Sequence, residues 1–296
     1  MSFSFHDEFL IPLEAGQAVD RGWTTATAGK AVAVTWHWTA TWDLAACRML
    51  LGGAHAFRKG EASAHYGVGR TFAEGVDRYV TLENRSWHAG KHQTLRWDGK
   101  ALESDARKGT RTAIGVETVH IGYARDGVDA GDDWIEVASP QGVAMRVAPW
   151  SEEQIAMMIA VGKEIVARWP EIGIRDHHGH HDLCPGYKVD VSSAFPFARV
   201  LRGIYDDPSI PDVWDPLRTV RQRQRALLAL GYDLGPGGAD GTWGVPSDAT
   251  LRRFQHEHAL VVDGFWTSFV HWKVHELLEA KGLDLREVTA SSRLRR

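Results

Sequence analysis

The stretch from residue 176 to residue 190 constrains this chain more than any other part of its sequence. It reads Asp-His-His-Gly-His-His-Asp-Leu-Cys-Pro-Gly-Tyr-Lys-Val-Asp, with four histidines among fifteen residues. Imidazole is a common ligand of divalent metals, and a carboxylate completes many catalytic zinc sites. Pro185 and Gly186 favour a turn that brings Asp190 back toward His180. We therefore predict a zinc site here, and the alternative is a histidine-rich loop without metal.

Lys188 and Asp190 stand two residues apart at the end of this stretch. If residues 188–190 are extended, their side chains point to the same side of the backbone. The spacing therefore predicts that an ammonium group and a carboxylate share one face.

Two further groups that can carry chemistry lie in or at the end of apolar, β-branched runs. Residues 31–35 predict a buried strand that leads into His37, and residues 112–119 predict a strand that contains Glu117. Alternation places Glu117 on the same face as Gly115, which leaves open space beside the carboxylate. Because an unpaired charge is costly to bury, the pattern favours a catalytic Glu117 over a structural salt bridge. For His37 alone, a packed core histidine is the alternative.

The composition excludes several classes of protein. A net charge of -4 provides no basic field that would attract nucleic acid. Two cysteines, Cys47 and Cys184, are too few for a disulfide framework, so we expect free thiols, with Cys184 as an alternative metal ligand. No apolar run is long enough for a membrane helix, and the N-terminus lacks the regions of a signal peptide.

The chain divides at residues 206–216, where three prolines and four aspartates predict a stiff polar linker. Before it, residues 1–205 alternate predicted strands and helices. After it, residues 217–283 predict three short helices separated by Asp-Gly turns, which makes a small all-α bundle with a weak internal repeat. Residues 284–296 are predicted to be a tail.

Local patterns predict several individual elements. Residues 64–68 and 79–82 predict the two strands of a hairpin, and residues 44–51 predict a helix. Ser151 and Gln154 form a capping-box pattern at the start of a core helix. Ser247 is predicted to cap the second helix of the C-terminal bundle.

Five short motifs, in this order, resemble those of the zinc N-acetylmuramoyl-L-alanine amidases, a family that includes phage endolysins and peptidoglycan-recognition proteins. They are His-x-Thr-Ala (37–40), Ser-Ala-His-Tyr (63–66), Trp-His-Ala-Gly (87–90), Ile-Gly-Val-Glu (114–117) and Gly-His-x-Asp-x-x-Pro-Gly-x-Lys-x-Asp (179–190). Residues 217 to about 280 are similar to the peptidoglycan-binding three-helix module.

The resemblance implies an α/β fold with a mixed central sheet flanked by helices. It implies zinc ligands at His37, His180 and Asp190, an acid/base at Glu117, and Lys188 at the scissile carbonyl. Four residues are expected to contact the substrate: His88, Trp87, His65 and Tyr66. His178 and His181 leave the register open, and the ten-residue spacing to Asp190 favours His180.

The activity implied by the resemblance is hydrolysis of the amide between N-acetylmuramic acid and L-alanine in peptidoglycan. We expect a monomer that is made in the cytoplasm and acts on the cell wall, in the periplasm or outside the cell. A phage endolysin that causes lysis, with a holin or another export helper, is the first expectation. The alternatives are a bacterial cell-wall amidase, a non-catalytic peptidoglycan-recognition protein and a zinc peptidase.

The C-terminal module is expected to act as an anchor. A second weak contact to the same polymer raises the local concentration of the catalytic domain. On this hypothesis, loss of the residues after Pro216 lowers activity on intact wall much more than activity on small fragments.

Overall fold

The computed structural model of the protein describes residues 2–10, 24–26, 31–52, 62–89 and 113–290, with the backbone alone at residues 24–26. The strands are β1 (Phe5–His6), β2 (Thr24–Ala26), β3 (Ala33–Trp38), β4 (Tyr66–Val68), β5 (Val76–Arg78), β6 (Asn84–Ser86), β7 (Ala113–Thr118), β8 (Ile135–Ala138), β9 (Ala144–Val147) and β10 (His177–Gly179). The α-helices are α1 (Leu44–Leu51), α2 (Glu152–Arg168), α3 (His180–Leu183), α4 (Phe197–Tyr205), α5 (Val220–Leu230), α6 (Val245–Glu257), α7 (Ser268–Ala280) and α8 (Leu285–Ala290).

A mixed, mostly parallel sheet lies at the centre of the N-terminal part, as the sequence predicts. Its six strands run in the order β1-β5-β4-β7-β3-β10, and only β4 and β5 pair antiparallel. Strands β3 and β7 are buried along their whole length. Burial on both faces explains why their sequences read as nearly continuous apolar runs.

Helices α2 and α4 cover one face of this sheet. The capping box at Ser151 and Gln154 starts α2 as predicted, since each side chain bonds the other residue's backbone N–H. Trp36, Val116 and the buried side of α2 belong to one hydrophobic core. This packing leaves the opposite face of the sheet, which carries His37 and Glu117, to build a site.

The predicted hairpin exists, but its second strand was misplaced. Residues 66–68 pair with residues 76–78, and the expected strand at 79–82 does not form. Tyr79 and Val80 are buried in a small cluster with Leu44 and Cys47, on α1. Their apolar character therefore reflects packing against a helix, which resembles a strand pattern in the sequence.

The C-terminal part has its own hydrophobic core, built from α5, α6, α7 and a fourth helix, α8. The sequence placed residues 284–296 in a tail, but Leu285 and Val288 of α8 are buried in this core. Ser247 does not cap α6, because the helix begins at Val245 after Gly244. Ser247 instead accepts a hydrogen bond from Gln224 Nε2.

The weak internal repeat corresponds to one hydrogen-bonding pattern, between a helical glutamine and an Asp-Gly turn, that occurs twice. Gln224 on α5 accepts from the N–H of Gly241, and its amide donates to Asp240. Gln255 on α6 binds the Asp263-Gly264 turn in the same way. In both turns the glycine has a positive φ, at 89° and 75°, which only glycine adopts without strain.

Residues 206–216 join the two cores rather than crossing open solvent. Ile210 is buried in the N-terminal core, and Val213 packs against the C-terminal one. Within the described ranges, none of the helices combines the length and the apolar character needed to cross a membrane.

Candidate active site

Three side chains that are distant in sequence converge in the buried interior of the N-terminal part. His37 Nδ1 lies 3.0 Å from His180 Nδ1 and 3.3 Å from Asp190 Oδ2, and His180 Nδ1 lies 3.0 Å from the same carboxylate oxygen. They form the one group of potential metal ligands found among the described residues. The sequence predicted these three residues, and the structure brings them together.

The register of the sheet explains how they meet. His37 stands opposite Glu117 across β3 and β7, and Trp36 stands opposite Gly179 across β3 and β10. His180 follows Gly179 directly and begins α3. The site therefore lies beyond the carboxyl ends of parallel strands, where sites of open α/β sheets are usually built.

The turn at Pro185 and Gly186 returns the chain so that Asp190 reaches His180. The backbone of Asp190 is held in place by His181, whose N–H and Nδ1 both bond the Asp190 carbonyl oxygen. A histidine next to one candidate ligand thus positions the backbone of another candidate ligand. His181 therefore faces the carbonyl oxygen of Asp190, whereas His180 faces its carboxylate.

The electrostatics of the triangle favour one positive charge at its centre. Burial opposes the charge on Asp190, yet His180 and its hydrogen bond hold the carboxyl pKa well below its usual value. Burial also acts to lower the pKa of His180, but the charge of Asp190 and the hydrogen bond between them raise it to about 10. Burial and the nearby His180 lower the pKa of His37 to about 4. Without metal, His180 therefore carries a proton that lies within hydrogen-bond distance of the other two groups.

Glu117 lies at the edge of the triangle, with Oε1 3.7 Å from His37 Nδ1. Its Oε2 is buried and has no hydrogen-bond partner among the described residues. Burial, reinforced by the charge of Asp190, raises the pKa of Glu117 to about 8. A buried carboxylate with one idle oxygen is suited to accept and return a proton.

Lys188 is half-buried beside the site. Its positive charge adds to the lowering of the His37 pKa and partly offsets the rise in the Glu117 pKa. The ammonium therefore lies close enough to act on both groups. Cys184 was the alternative ligand, but its thiol donates to the carbonyl oxygen of Ala89 at 3.3 Å. Both Cys47 and Cys184 are buried free thiols, as expected.

His88 was expected to contact the substrate, and the structure gives it a different environment. It is buried, with Nε2 3.1 Å from the Ala113 carbonyl oxygen and Nδ1 3.0 Å from His37 Nε2. Because a carbonyl only accepts, Nε2 carries the proton and Nδ1 accepts from His37. His37 is then protonated at Nε2, so its Nδ1 lone pair points into the triangle.

Gly115 provides the space that His88 occupies. A Cβ atom at residue 115 would lie 2.3 Å from His88 Cγ, which no side chain permits. The small residue that the sequence places beside Glu117 therefore receives an imidazole instead of leaving open space.

His65, a second residue expected to contact the substrate, is also buried, and its ring nitrogens bond within the protein. Its Nε2 donates to the carbonyl oxygen of Asn84, and its Nδ1 accepts from Gly115 N–H and the Ser86 hydroxyl. Burial lowers the pKa of His65 to about 4, which keeps the ring neutral. With both nitrogens bonded inside the protein, His65 braces β7.

Tyr66 lies on the wrong face of the sheet for the role expected of it. It pairs with Val116 rather than Glu117, so it points toward α2, where its hydroxyl donates to Glu164 at 2.9 Å. Trp87 is half-buried, and its backbone N–H donates to the hydroxyl oxygen of Ser63. Gly90, the last residue of the Trp-His-Ala-Gly motif, lies outside the described residues.

The other two histidines of the 176–190 stretch serve the packing. His177 accepts from the Trp36 indole and bonds the Tyr205 hydroxyl. His178 bonds Thr35 on the neighbouring strand. Burial lowers the pKa of His177 to about 3 and that of His178 to about 4.

The sequence of the chain matches two known protein families. Residues 27–188, more than half of the chain, match the N-acetylmuramoyl-L-alanine amidase family. The chain belongs to this family. Residues 218–270 match a peptidoglycan-binding domain. The amidase hydrolyses the amide bond between N-acetylmuramic acid and L-alanine, and peptidoglycan is its substrate.

Solved structures that resemble the amidase include bacterial enzymes and an endolysin. The N-acetylmuramyl-L-alanine amidase AmiD from E. coli is 20% identical, with 88% of this chain and 94% of that chain covered and a TM-score of 0.47. AmpDH3 from Pseudomonas aeruginosa is 22% identical, with 86% and 93% covered and a TM-score of 0.47. A mutant endolysin from Bacillus subtilis is 17% identical, with 68% and 99% covered and a TM-score of 0.38. These scores are too low to transfer a residue's role. A sequence comparison with curated proteins finds no match.

Tyr66→Phe tests the corrected position of this residue in the amidase. The variant loses one hydrogen bond to Glu164, so we expect the free energy of unfolding to fall by about 1–2 kcal/mol. We expect kcat and KM on a soluble muropeptide to stay unchanged, as steady-state assays would show. A raised KM would instead indicate that Tyr66 contacts the substrate.

Proposed function

We propose that this amidase is a zinc enzyme and that His37, His180 and Asp190 hold the metal. What supports the proposal above all is the triangle of donor atoms, with edges of 3.0–3.3 Å. Zinc bonds of about 2.0–2.1 Å in a tetrahedron require ligand atoms about 3.3 Å apart. Two imidazoles and one carboxylate are also a donor set that catalytic zinc sites use.

We propose that Glu117 is the acid/base and that Lys188 stabilises the oxyanion. When bound, zinc supplies a Lewis acid that lowers the pKa of water and polarises a carbonyl. Glu117 Oε2 accepts a proton from the attacking water and returns it to the leaving amine nitrogen. The Lys188 ammonium stabilises the negative charge that develops on the carbonyl oxygen.

We propose His88 as a positioning residue instead of a substrate contact. Its acceptor nitrogen selects the His37 tautomer whose Nδ1 is available to a metal. Such partners fix the orientation of a ligand and raise its basicity. Trp87 keeps its proposed place among the substrate contacts, because it is half-buried next to His88.

We propose residues 1–205 as the catalytic domain, 206–216 as the linker, and a wall-binding domain that begins at 217 and extends to Ala290. The two separate hydrophobic cores support this division. The pairing of these domains suits action on polymeric wall, either as a phage endolysin released by a holin or another helper, or as a bacterial amidase. Since one chain supplies every group of the site, we propose a monomer, which sedimentation at micromolar concentration would refute by showing a dimer.

A wall digest tests the zinc mechanism directly. We expect the protein to release peptides with new L-alanine amino termini. Hydrolysis should stop when a chelator is added and resume when zinc is supplied. Glu117→Gln should keep zinc and lose about 10²–10⁴-fold in kcat, the usual contribution of general acid/base catalysis. Other new termini would indicate a peptidase, and no release would indicate a binding protein. Full activity of the Gln variant would remove Glu117 from the mechanism.

Proton release on zinc binding tests the charge in the triangle. At pH 7 the metal-free site holds a proton on His180, whose pKa is about 10, and one on Glu117, whose pKa is about 8. Zinc displaces the proton of its ligand His180, and the charge of the cation favours the ionised form of Glu117, so zinc affinity should rise with pH. Calorimetry in buffers of different ionisation enthalpy should show about two protons released per zinc, and about one for Glu117→Gln. No release would contradict a protonated triangle.

His88→Ala tests the positioning role. Loss of the acceptor frees the His37 tautomer, so we expect zinc affinity to fall about 10–100-fold. Zinc competition with a fluorescent chelator measures it. Trp87→Ala, next in sequence, is the control, and it should raise KM while leaving zinc affinity unchanged. A His88→Ala protein with normal zinc affinity and a raised KM would restore the original substrate-contact hypothesis.

A further inference from the structure

Asp182 is a fully buried carboxylate that contacts both domains. Its Oδ2 accepts from Gly179 N–H at 2.9 Å, at the start of α3. Its Oδ1 accepts from Ser268 N–H at 2.7 Å, and Oδ2 accepts from the Ser268 hydroxyl at 2.9 Å, at the start of α7. One carboxylate therefore caps a helix of the catalytic domain and a 13-residue helix of the wall-binding domain, and both helix N-termini favour a negative charge.

The helix that Asp182 holds carries a proposed metal ligand. His180 lies between Gly179 and Asp182, and α3 comprises four residues. A helix this short is unstable without external contacts. The hydrogen bonds from Ser268 are thus among the contacts that fix where the His180 imidazole points.

A second route connects the same two regions. Arg223 on α5 is buried and donates to the carbonyl oxygens of Ala138, the last residue of β8, and Ser139, which follows it. The backbone N–H of Trp266 donates to the carbonyl oxygen of Pro140 at 2.9 Å. Gln141, which follows Pro140 in the chain, donates through its side-chain amide to the carbonyl oxygen of Pro185, in the turn between His180 and Asp190.

We propose that the wall-binding domain is a structural part of the catalytic site: through Ser268 and Arg223 it fixes the segment 179–190 that presents His180 and Asp190. This inference rests on the proposed role of these residues as metal ligands. It goes beyond the expectation of a simple anchor. If the second domain were only an anchor, hydrolysis of a small soluble substrate would not depend on it.

Two substitutions in the full-length amidase test the proposal, with a matched control. Ser268→Ala removes one hydrogen bond to Asp182, and Arg223→Met removes those to Ala138 and Ser139. Arg225→Met is the control, since Arg225 lies on the same helix but donates to Thr289 within its own domain. The readouts are zinc affinity, hydrogen exchange of the Cys184 amide, which bonds His180, and kcat and KM on a soluble muropeptide.

We expect both interface variants to weaken zinc binding about tenfold, within the range for groups that orient a ligand. The Cys184 amide should exchange faster, and kcat on the soluble muropeptide should fall. Arg225→Met should change none of these, although it lowers the melting temperature. Interface variants that match the control in zinc affinity and exchange would overturn the proposal, whatever their stability.

The outcomes also separate this inference from the proposed function. If the unmodified protein binds no zinc, the metal site fails, and the exchange of the Cys184 amide still reports whether the second domain holds α3. If zinc binds but the interface variants behave as the control, only the present inference fails. Should Arg223→Met not fold, Ser268→Ala decides alone, because it removes a single hydroxyl.

Discussion

A buried carboxylate between two imidazoles is the interaction on which the rest of this structure depends. Asp190 lies almost out of contact with solvent, where an anion is costly unless a cation is close. His180 supplies that cation as a proton, and the same position suits a divalent metal. The requirement for one positive charge explains why the two histidines, which repel each other when both are charged, lie 3.0 Å apart.

Four features of the surrounding structure hold this arrangement. Parallel pairing sets His37 beside Glu117, and His88 fixes the tautomer of His37 through a hydrogen bond to its Nε2. His181 holds the backbone of Asp190. Asp182 then ties the helix of His180 to the second domain through hydrogen bonds to Gly179 and Ser268.

The histidine-rich stretch shows how composition can mislead about individual residues. One of its four histidines faces the proposed metal, one positions a carbonyl oxygen, and two join the packing of neighbouring strands and helices. Each uses its ability to donate and accept at separate ring nitrogens. A dense cluster of titratable groups therefore indicated where the three candidate ligands meet, while the contacts of each member depended on its hydrogen-bond partners.

The sequence by itself determined the fold class, the core strands, the amidase family and the three groups that converge, because alternation and short motifs are local signals. It did not determine on which face Tyr66 lies, that His65 and His88 bond inside the protein, or that α8 joins the second core. Those outcomes depend on strand register and on contacts between residues far apart in the chain. The same holds for Asp182, since no local pattern shows that a carboxylate beside His180 will meet Ser268, and only the docking of two domains brings them together.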